Sequence, residues 1–226
     1  MAKIDVVFED NHLIAINKKG GDLSQKDKSN DDSLIEHIKL YIKEKFKKPG
    51  DVFLGSIHRL DRPTSGVIVY ARTSKALTRM TKLFRDNDIK KSYFALVEGR
   101  PPDLSGYLKD YLKKDPIKNK SYIAKKGAAN AKLAELKYEF IREVDNRYLI
   151  KLDLMTGRHH QIRVQLANIG CRIVGDLKYG YGTPNADKSI CLHCSEIVFV
   201  HPVKKVEIRI SARVPKIPEW KGVKGY

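Results

Sequence analysis

The sequence predicts an α+β domain, and three observations predict it. Short apolar runs of strand length recur along the 226 residues, several of them joined by the turn residues of hairpins, so antiparallel pairing should dominate. Two stretches instead carry apolar residues at helical spacing behind a serine able to cap them. No run approaches the ~18–20 apolar residues of a membrane span, so these elements must bury their faces against one another.

Residues 4–8 and 12–16 are apolar runs separated by Glu9-Asp10-Asn11, which predicts a buried hairpin. Residues 18–32 are polar, contain Gly20-Gly21 and lack periodicity. They read as a mobile basic loop touching backbone phosphates, or equally as a solvated connection. Ser33 is placed to cap a helix with Leu34, Ile35, Ile38, Tyr41, Ile42 and Phe46 on one stripe, ended by Pro49-Gly50. Residues 53–57 and 66–71 read as strands. Ser74 then opens a second helix with Leu77, Met80, Leu83 and Phe84 inward.

Residues 93–97 form a further strand, closed by Gly99-Arg100-Pro101-Pro102. Residues 105–130 are rich in lysine and poor in large aliphatics, the pattern of a basic surface hairpin or insertion. Tyr107, Tyr111 and Tyr122 lie among its bases, for RNA stacking or as amphipathic residues of solvated strands. Leu136, Tyr138 and Phe140 alternate, as do Tyr148, Ile150, Leu152 and Leu154, with Asp145-Asn146 as the turn of an antiparallel pair. Beyond Met155 the period becomes helical through Ile162, Leu166 and Ile169 to Gly170. Arg158, His159, His160 and Arg163 at that helix start oppose the preference of a helix N-terminus for anions, so a carboxylate from elsewhere is expected there. Residues 190–200 and 206–210 close the domain as strands. The expectation is one domain over 1–226 with its core at about 6–210.

Composition narrows the function. Forty-four Lys and Arg against 27 Asp and Glu give a formal charge of +17 and a pI near 9.7. Such a balance favours a polyanionic partner, nucleic acid or an anionic membrane surface, with RNA the favoured candidate. Residues 1–5 lack the apolar core of a signal peptide, and three cysteines, Cys171, Cys191 and Cys194, fit a reducing compartment, so a cytoplasmic protein is expected. Cys191-Leu192-His193-Cys194 lacks the second ligand pair of a zinc site, and His159-His160 lacks the spacing of a zinc helix. The glycine- and tyrosine-rich stretch 175–182 contains no Gly-Lys-Ser or Gly-Lys-Thr to bind nucleotide phosphates.

The stretch with the most chemistry is His58-Arg59-Leu60-Asp61-Arg62-Pro63-Thr64-Ser65-Gly66, between two apolar runs. One carboxylate stands among three bases, as suits an acid that must stay ionised while partly desolvated. A surface salt-bridge cluster would look the same in isolation.

His58-Arg59-Leu60-Asp61 with Thr64-Ser65-Gly66 resembles the signature of the RluA family of pseudouridine synthases. Four further stretches resemble that family in its order: residues 91–99 around Tyr93, residues 156–163 from Thr156 to Arg163, Gly175-Asp176 with Tyr179-Gly180, and Leu192-His193 with residues 199–202. The resemblance implies a long, mainly antiparallel mixed sheet flanked by helices and loops, with the active cleft across its middle. It implies isomerisation of a uridine of tRNA or rRNA to pseudouridine, with no metal and no organic cofactor.

It further implies that Asp61 is the essential carboxylate, acting at C6 of a flipped uracil or at ribose C1′. Arg163 is its partner base. Tyr93 stacks on the uracil and can take part in proton transfer at C5. Arg59 fills the space left by the extruded base, and Arg62, Arg158, His160, Gln161 and Leu192 join it in binding substrate. For His58 and His160 structural hydrogen bonding is the favoured reading over catalysis, Gly157, Gly175 and Gly180 read as turn devices, and Asp176 as a residue that caps or orients a loop. Lys18-Lys19-Gly20-Gly21 stands where many members have Lys-Pro, and Gln165 where a His is common. The chain begins at the first strand of the catalytic domain, without room for the N-terminal S4 domain of many relatives, so RNA affinity is expected from the catalytic body, acting as a monomer. The competing reading is a non-catalytic basic RNA-binding protein or RNA chaperone on the same fold; Asp61, Tyr93 and Arg163 discriminate, since a binding module needs no carboxylate in its cleft.

Overall fold

A computed structural model describes residues 4–26 and 31–223. The strands are β1 (Val6–Glu9), β2 (Leu13–Lys18), β3 (Gly55–Ser56), β4 (Ser65–Ala71), β5 (Ile89–Val97), β6 (Ser105–Asp115), β7 (Lys120–Ala124), β8 (Lys132–Val144), β9 (Arg147–Leu154), β10 (Leu192–Val200) and β11 (Glu207–Ser211). The helices are α1 (Leu34–Lys45), α2 (Ser74–Arg85) and α3 (Gln161–Asn168). All 11 strands join one sheet in the order β1-β2-β4-β10-β5-β9-β8-β6-β7, with β11 on β10 and β3 on β4. Every pairing is antiparallel except β4 with β10. The α+β architecture and the mainly antiparallel sheet are therefore as expected, and one continuous core runs from Leu13 to Val223. Among the described residues no helix is long and apolar enough to cross a membrane.

Local chemistry explains the elements. β4 is an interior strand between β2 and β10 and is buried at every residue, so its Gly66–Ala71 run is free of charged residues and does not alternate. β8 and β9 alternate, and Asp145 and Asn146 both take positive φ, 48° and 58°, the turn geometry whose twist matches paired strands. Helix α2 buries Ala76 and Met80 and half-buries Leu77, Leu83 and Phe84.

Several details differ from expectation. Thr73, not Ser74, caps α2, its hydroxyl accepting the Ala76 N–H at 3.2 Å. Ser33 occupies the cap position of α1 without a side-chain hydrogen bond. Helix α1 stops at Lys45, before Pro49-Gly50, because Lys47 turns to φ 47°, and Phe46 consequently leaves the buried stripe. Of the strand expected over 53–57 only Gly55–Ser56 pairs. The lysine-rich stretch is no irregular appendage: β6 pairs with β8 over eight residues and then with β7, extending the sheet.

The loop expected to be a mobile phosphate-facing segment or a solvated connection is mixed where it is described: Lys18, Leu23 and Ser24 are buried while Lys19, Gln25, Lys26, Asp31 and Asp32 are exposed; residues 27–30 lie outside the described residues. Lys18 is 1% exposed and gives its ammonium to the carbonyls of Lys19, Asp22 and Arg62 at 2.8, 2.8 and 3.0 Å. It cannot reach a phosphate. Burial lowers its pKa to about 8, and its bonds tie the Lys18–Asp22 stretch to residues 58–64.

Candidate active site

Backbone registry brings three distant segments together. Residues 58–64 lead into β4, which lies against β10 through Ser65↔His193 and Gly66↔Cys194. A Cβ at Gly66 would stand 2.2 Å from the Cys194 carbonyl oxygen, and φ there is +115°, so only glycine permits this approach. On its other edge β10 pairs Cys194 with Tyr93 of β5. β9 meanwhile runs out through residues 155–160 into α3. The result is a cleft of about 550 Å³ lined by Asp61, Tyr93, His160, Arg163 and Leu192.

Asp61 is partly buried, and its Oδ2 accepts from Arg163 Nη1 at 3.2 Å. Arg163, 5% exposed, also donates from Nε and Nη2 to the two oxygens of Asp176, both at 2.7 Å. Burial opposes the guanidinium charge, but Asp176 and then Asp61 outweigh it, so its pKa is raised. The cation expected to lack a local anion thus has two. Asp176, read as a loop cap or orienting group, is the missed member: 1% exposed, it anchors Arg163. It follows Gly175, at φ +84°, where a Cβ would meet the Asn185 side chain and the Ser189 carbonyl at 2.7 Å.

His160 precedes α3 in a left-handed conformation, φ 54°. Its Nε2 stands 3.6 Å from Asp61 Oδ2, its Nδ1 meets the Tyr179 hydroxyl at 3.0 Å, and its ring stacks on His159. Burial, then the Arg163 charge, push its pKa down to about 2, so it is neutral beside the carboxylate. Tyr93 is buried and paired across the strands with Cys194, and burial raises its phenol pKa well above the usual range. Its phenol therefore stays protonated over the working pH range.

Other residues divide. Arg59 is exposed and lines both the main cleft and a neighbouring cavity of about 270 Å³ formed with Leu23, Ser24, Asn119 and Lys178. Arg62 turns aside to Asp31 at 2.8 Å and the Gly21 carbonyl at 3.0 Å. Arg158 lies at the exposed rim and donates from Nε to the Leu133 carbonyl at 2.8 Å. Gln161 is a brace: its oxygen accepts from Thr156 and the Arg158 N–H, and its amide donates to the Glu135 carbonyl. Gln165 braces α3 likewise, to Asp110 and the Ala134 carbonyl. His58 lines the cleft, and its ring accepts the Val69 N–H at 3.0 Å and stacks on Phe84. Gly157 is not among the positive-φ glycines, unlike Gly175 and Gly180, and a Cβ there would meet only Lys91 Nζ.

Sequence reading passed over Lys91, which lines the cleft with its pKa lowered by burial. The strand period could have found it, since Lys91 and Tyr93 lie two residues apart on one face of β5.

Residues 12–168 match the sequence profile of RNA pseudouridylate synthase, a span holding Asp61, Tyr93 and Arg163. The chain belongs to that family. As a pseudouridine synthase it is an isomerase, of the RluA type indicated by its motifs. It is 30% identical over 223 residues to ribosomal large subunit pseudouridine synthase D of Zymomonas mobilis, covering 94% of this chain and 70% of that one. It is 31% identical over 232 residues to tRNA pseudouridine synthase C of Vibrio vulnificus, covering 95% and 92%. The synthase fold recurs in human RNA pseudouridylate synthase domain containing 4, with a TM-score of 0.77 at 21% identity, covering 94% of this chain and 89% of that one. It recurs also in domain containing 1, with 0.72 at 19%, covering 97% and 87%.

Proposed function

We propose that this synthase isomerises a uridine of transfer or ribosomal RNA, with Asp61 as the nucleophile, Arg163 as its counter-ion and Tyr93 as the stacking ring and proton carrier. The observation that carries the reading is the 3.2 Å contact of Asp61 with a buried guanidinium in the cleft that also holds Tyr93. A carboxylate attacks only when ionised, and a cation fixed at one oxygen keeps it charged and aimed. The Asp61 carboxylate bonds to the flipped nucleotide, at C6 of the base or at ribose C1′, and that bond breaks again before product leaves; meanwhile the C1′–N1 bond breaks, C1′ joins C5, C5 loses a proton and N1 gains one, so atoms balance without a co-reactant. The protonated phenol of Tyr93 can donate to N1, and only after that donation could it accept the C5 proton.

Reaching the base requires its extrusion, at a cost of a few kcal/mol. Arg59, exposed at the mouth of both cavities, is suited to occupy the vacated stack. Leu192 supplies an apolar wall, Arg158 a rim cation, and His160 a neutral neighbour to the carboxylate. Gln161 and Arg62 support the reading less directly, because their polar groups already hold protein atoms; they shape the site for RNA instead of gripping it. The chain acts as a single catalytic domain and a monomer, with RNA bound by its own basic surface.

The test is Asp61→Asn. Pseudouridine should vanish from the target when total RNA from cells carrying the variant is mapped, while the purified variant still binds RNA. Unchanged turnover would remove Asp61 from its role, and a target unmodified in wild-type cells as well would favour the binding-protein reading.

A further inference from the structure

Ile117, at the tip of the β6–β7 hairpin, is 94% exposed, an extreme for a branched aliphatic side chain. The turn that carries it is braced. Asp115 Oδ1 accepts the N–H groups of Ile117 and Lys118 at 2.9 and 3.0 Å, which holds the side chain outward. Lys113, Lys114 and Lys118 beside it are exposed, whereas the nearest carboxylate is spent on the turn.

The hairpin is fixed to the active site. The Tyr179 hydroxyl accepts the Ser121 N–H at 2.9 Å, and Ser121 Oγ donates to the His159 carbonyl at 2.7 Å. Lys178 Nζ donates to the Asn119 carbonyl at 3.2 Å. That same Tyr179 hydroxyl meets His160, which faces Asp61. Asn119, two residues from the tip, lines the cavity that Arg59 and Asp61 share. The hairpin therefore borders that cavity.

We infer that the β6–β7 tip seats unpaired RNA bases flanking the target uridine, with Ile117 as an apolar wedge against a base face and Lys113, Lys114 and Lys118 on the phosphates. This rests on the RNA-substrate reading above. An aliphatic wedge inserted at a base step replaces stacking lost when a nucleotide is extruded. A protein partner fits the surface poorly, because Ile117 stands alone among lysines without the contiguous apolar area of a docking patch.

The test compares wild type, Ile117→Ser and Ile117→Trp for binding to a single-stranded oligouridine and to a fully paired RNA duplex at one fixed salt concentration. Ile117→Ser should lose about five- to tenfold on the oligouridine and less than about twofold on the duplex. Oligouridine, and not duplex, should quench the indole introduced by Ile117→Trp. Equal affinity of Ile117→Ser and wild type for oligouridine, an equal loss on both RNAs, or an unquenched indole overturns the wedge while leaving the RNA reading intact. Wild type that binds neither RNA would instead remove the RNA reading, and the wedge with it.

Discussion

Arg163 holds Asp176 through Nε and Nη2, each at 2.7 Å, and so turns Nη1 alone toward Asp61. One planar group serves two carboxylates: the buried one sets its orientation and the cleft one receives it. An ammonium has no such fork and cannot be oriented by one carboxylate while facing another.

Arg163→Lys is therefore not conservative here. We expect kcat to fall by about a hundredfold with RNA affinity changed less than about threefold, measured by single-turnover pseudouridine formation and filter binding. A loss confined to affinity would make Arg163 a phosphate contact.

Asp176→Asn leaves a buried guanidinium without its principal partner, and breaking such a pair costs about 3–5 kcal/mol. Urea unfolding should show a loss of that order, with activity reduced in the protein that remains folded. A change below about 1 kcal/mol would mean that Asp61 and water replace Asp176.

Tyr93→Phe keeps the ring and removes the phenol. Turnover should drop by about a hundredfold while RNA binding is retained. Because burial raises the Tyr93 phenol pKa well above its ordinary value, the wild type should show no activity loss from phenol ionisation up to about pH 10.

Acid should weaken the fold through neutral histidines, His193 buried and His58 partly buried. His193 is pushed down to about 4 and His58 to about 3, each by burial. His58 accepts a backbone N–H, and His193 sits between Ser65 Oγ and the Ala212 carbonyl. Both bind a proton more readily unfolded, near pH 6.5, than folded. Their contribution is complete above pH 6.5 and is lost as pH falls toward 4 for His193 and 3 for His58. The urea midpoint should drop between pH 7 and pH 4.5, and replacing His193 with Gln should flatten part of that slope.

Much of this molecule is local information. The hairpin turn at Asp145-Asn146, the amphipathic helices and the strand runs follow from propensity and period, which involve neighbours a few residues apart. So did the grouping of Asp61 with basic residues, and the prediction that the cationic start of α3 needs a carboxylate. Some errors at this level were small shifts, as when Thr73 displaced Ser74 as a cap; others were larger, as when only Gly55–Ser56 of the strand expected over 53–57 paired.

What the chain alone left open was which charges meet. Arg62 adjoins Asp61 in sequence yet turns to Asp31, while Arg163 arrives from 102 residues away. Asp176 looked like a loop residue because nothing in its own segment names a partner, and Lys18 looked solvent-facing until the carbonyls around it were in place. Hydrogen-bond geometry between distant segments depends on sheet order, here on the parallel meeting of β4 and β10 at Gly66. The sequence by itself determined most of the elements, the family and the chemical inventory. The tertiary structure decided the pairing of charges, because burial and direction arise only when strands far apart in the chain become neighbours.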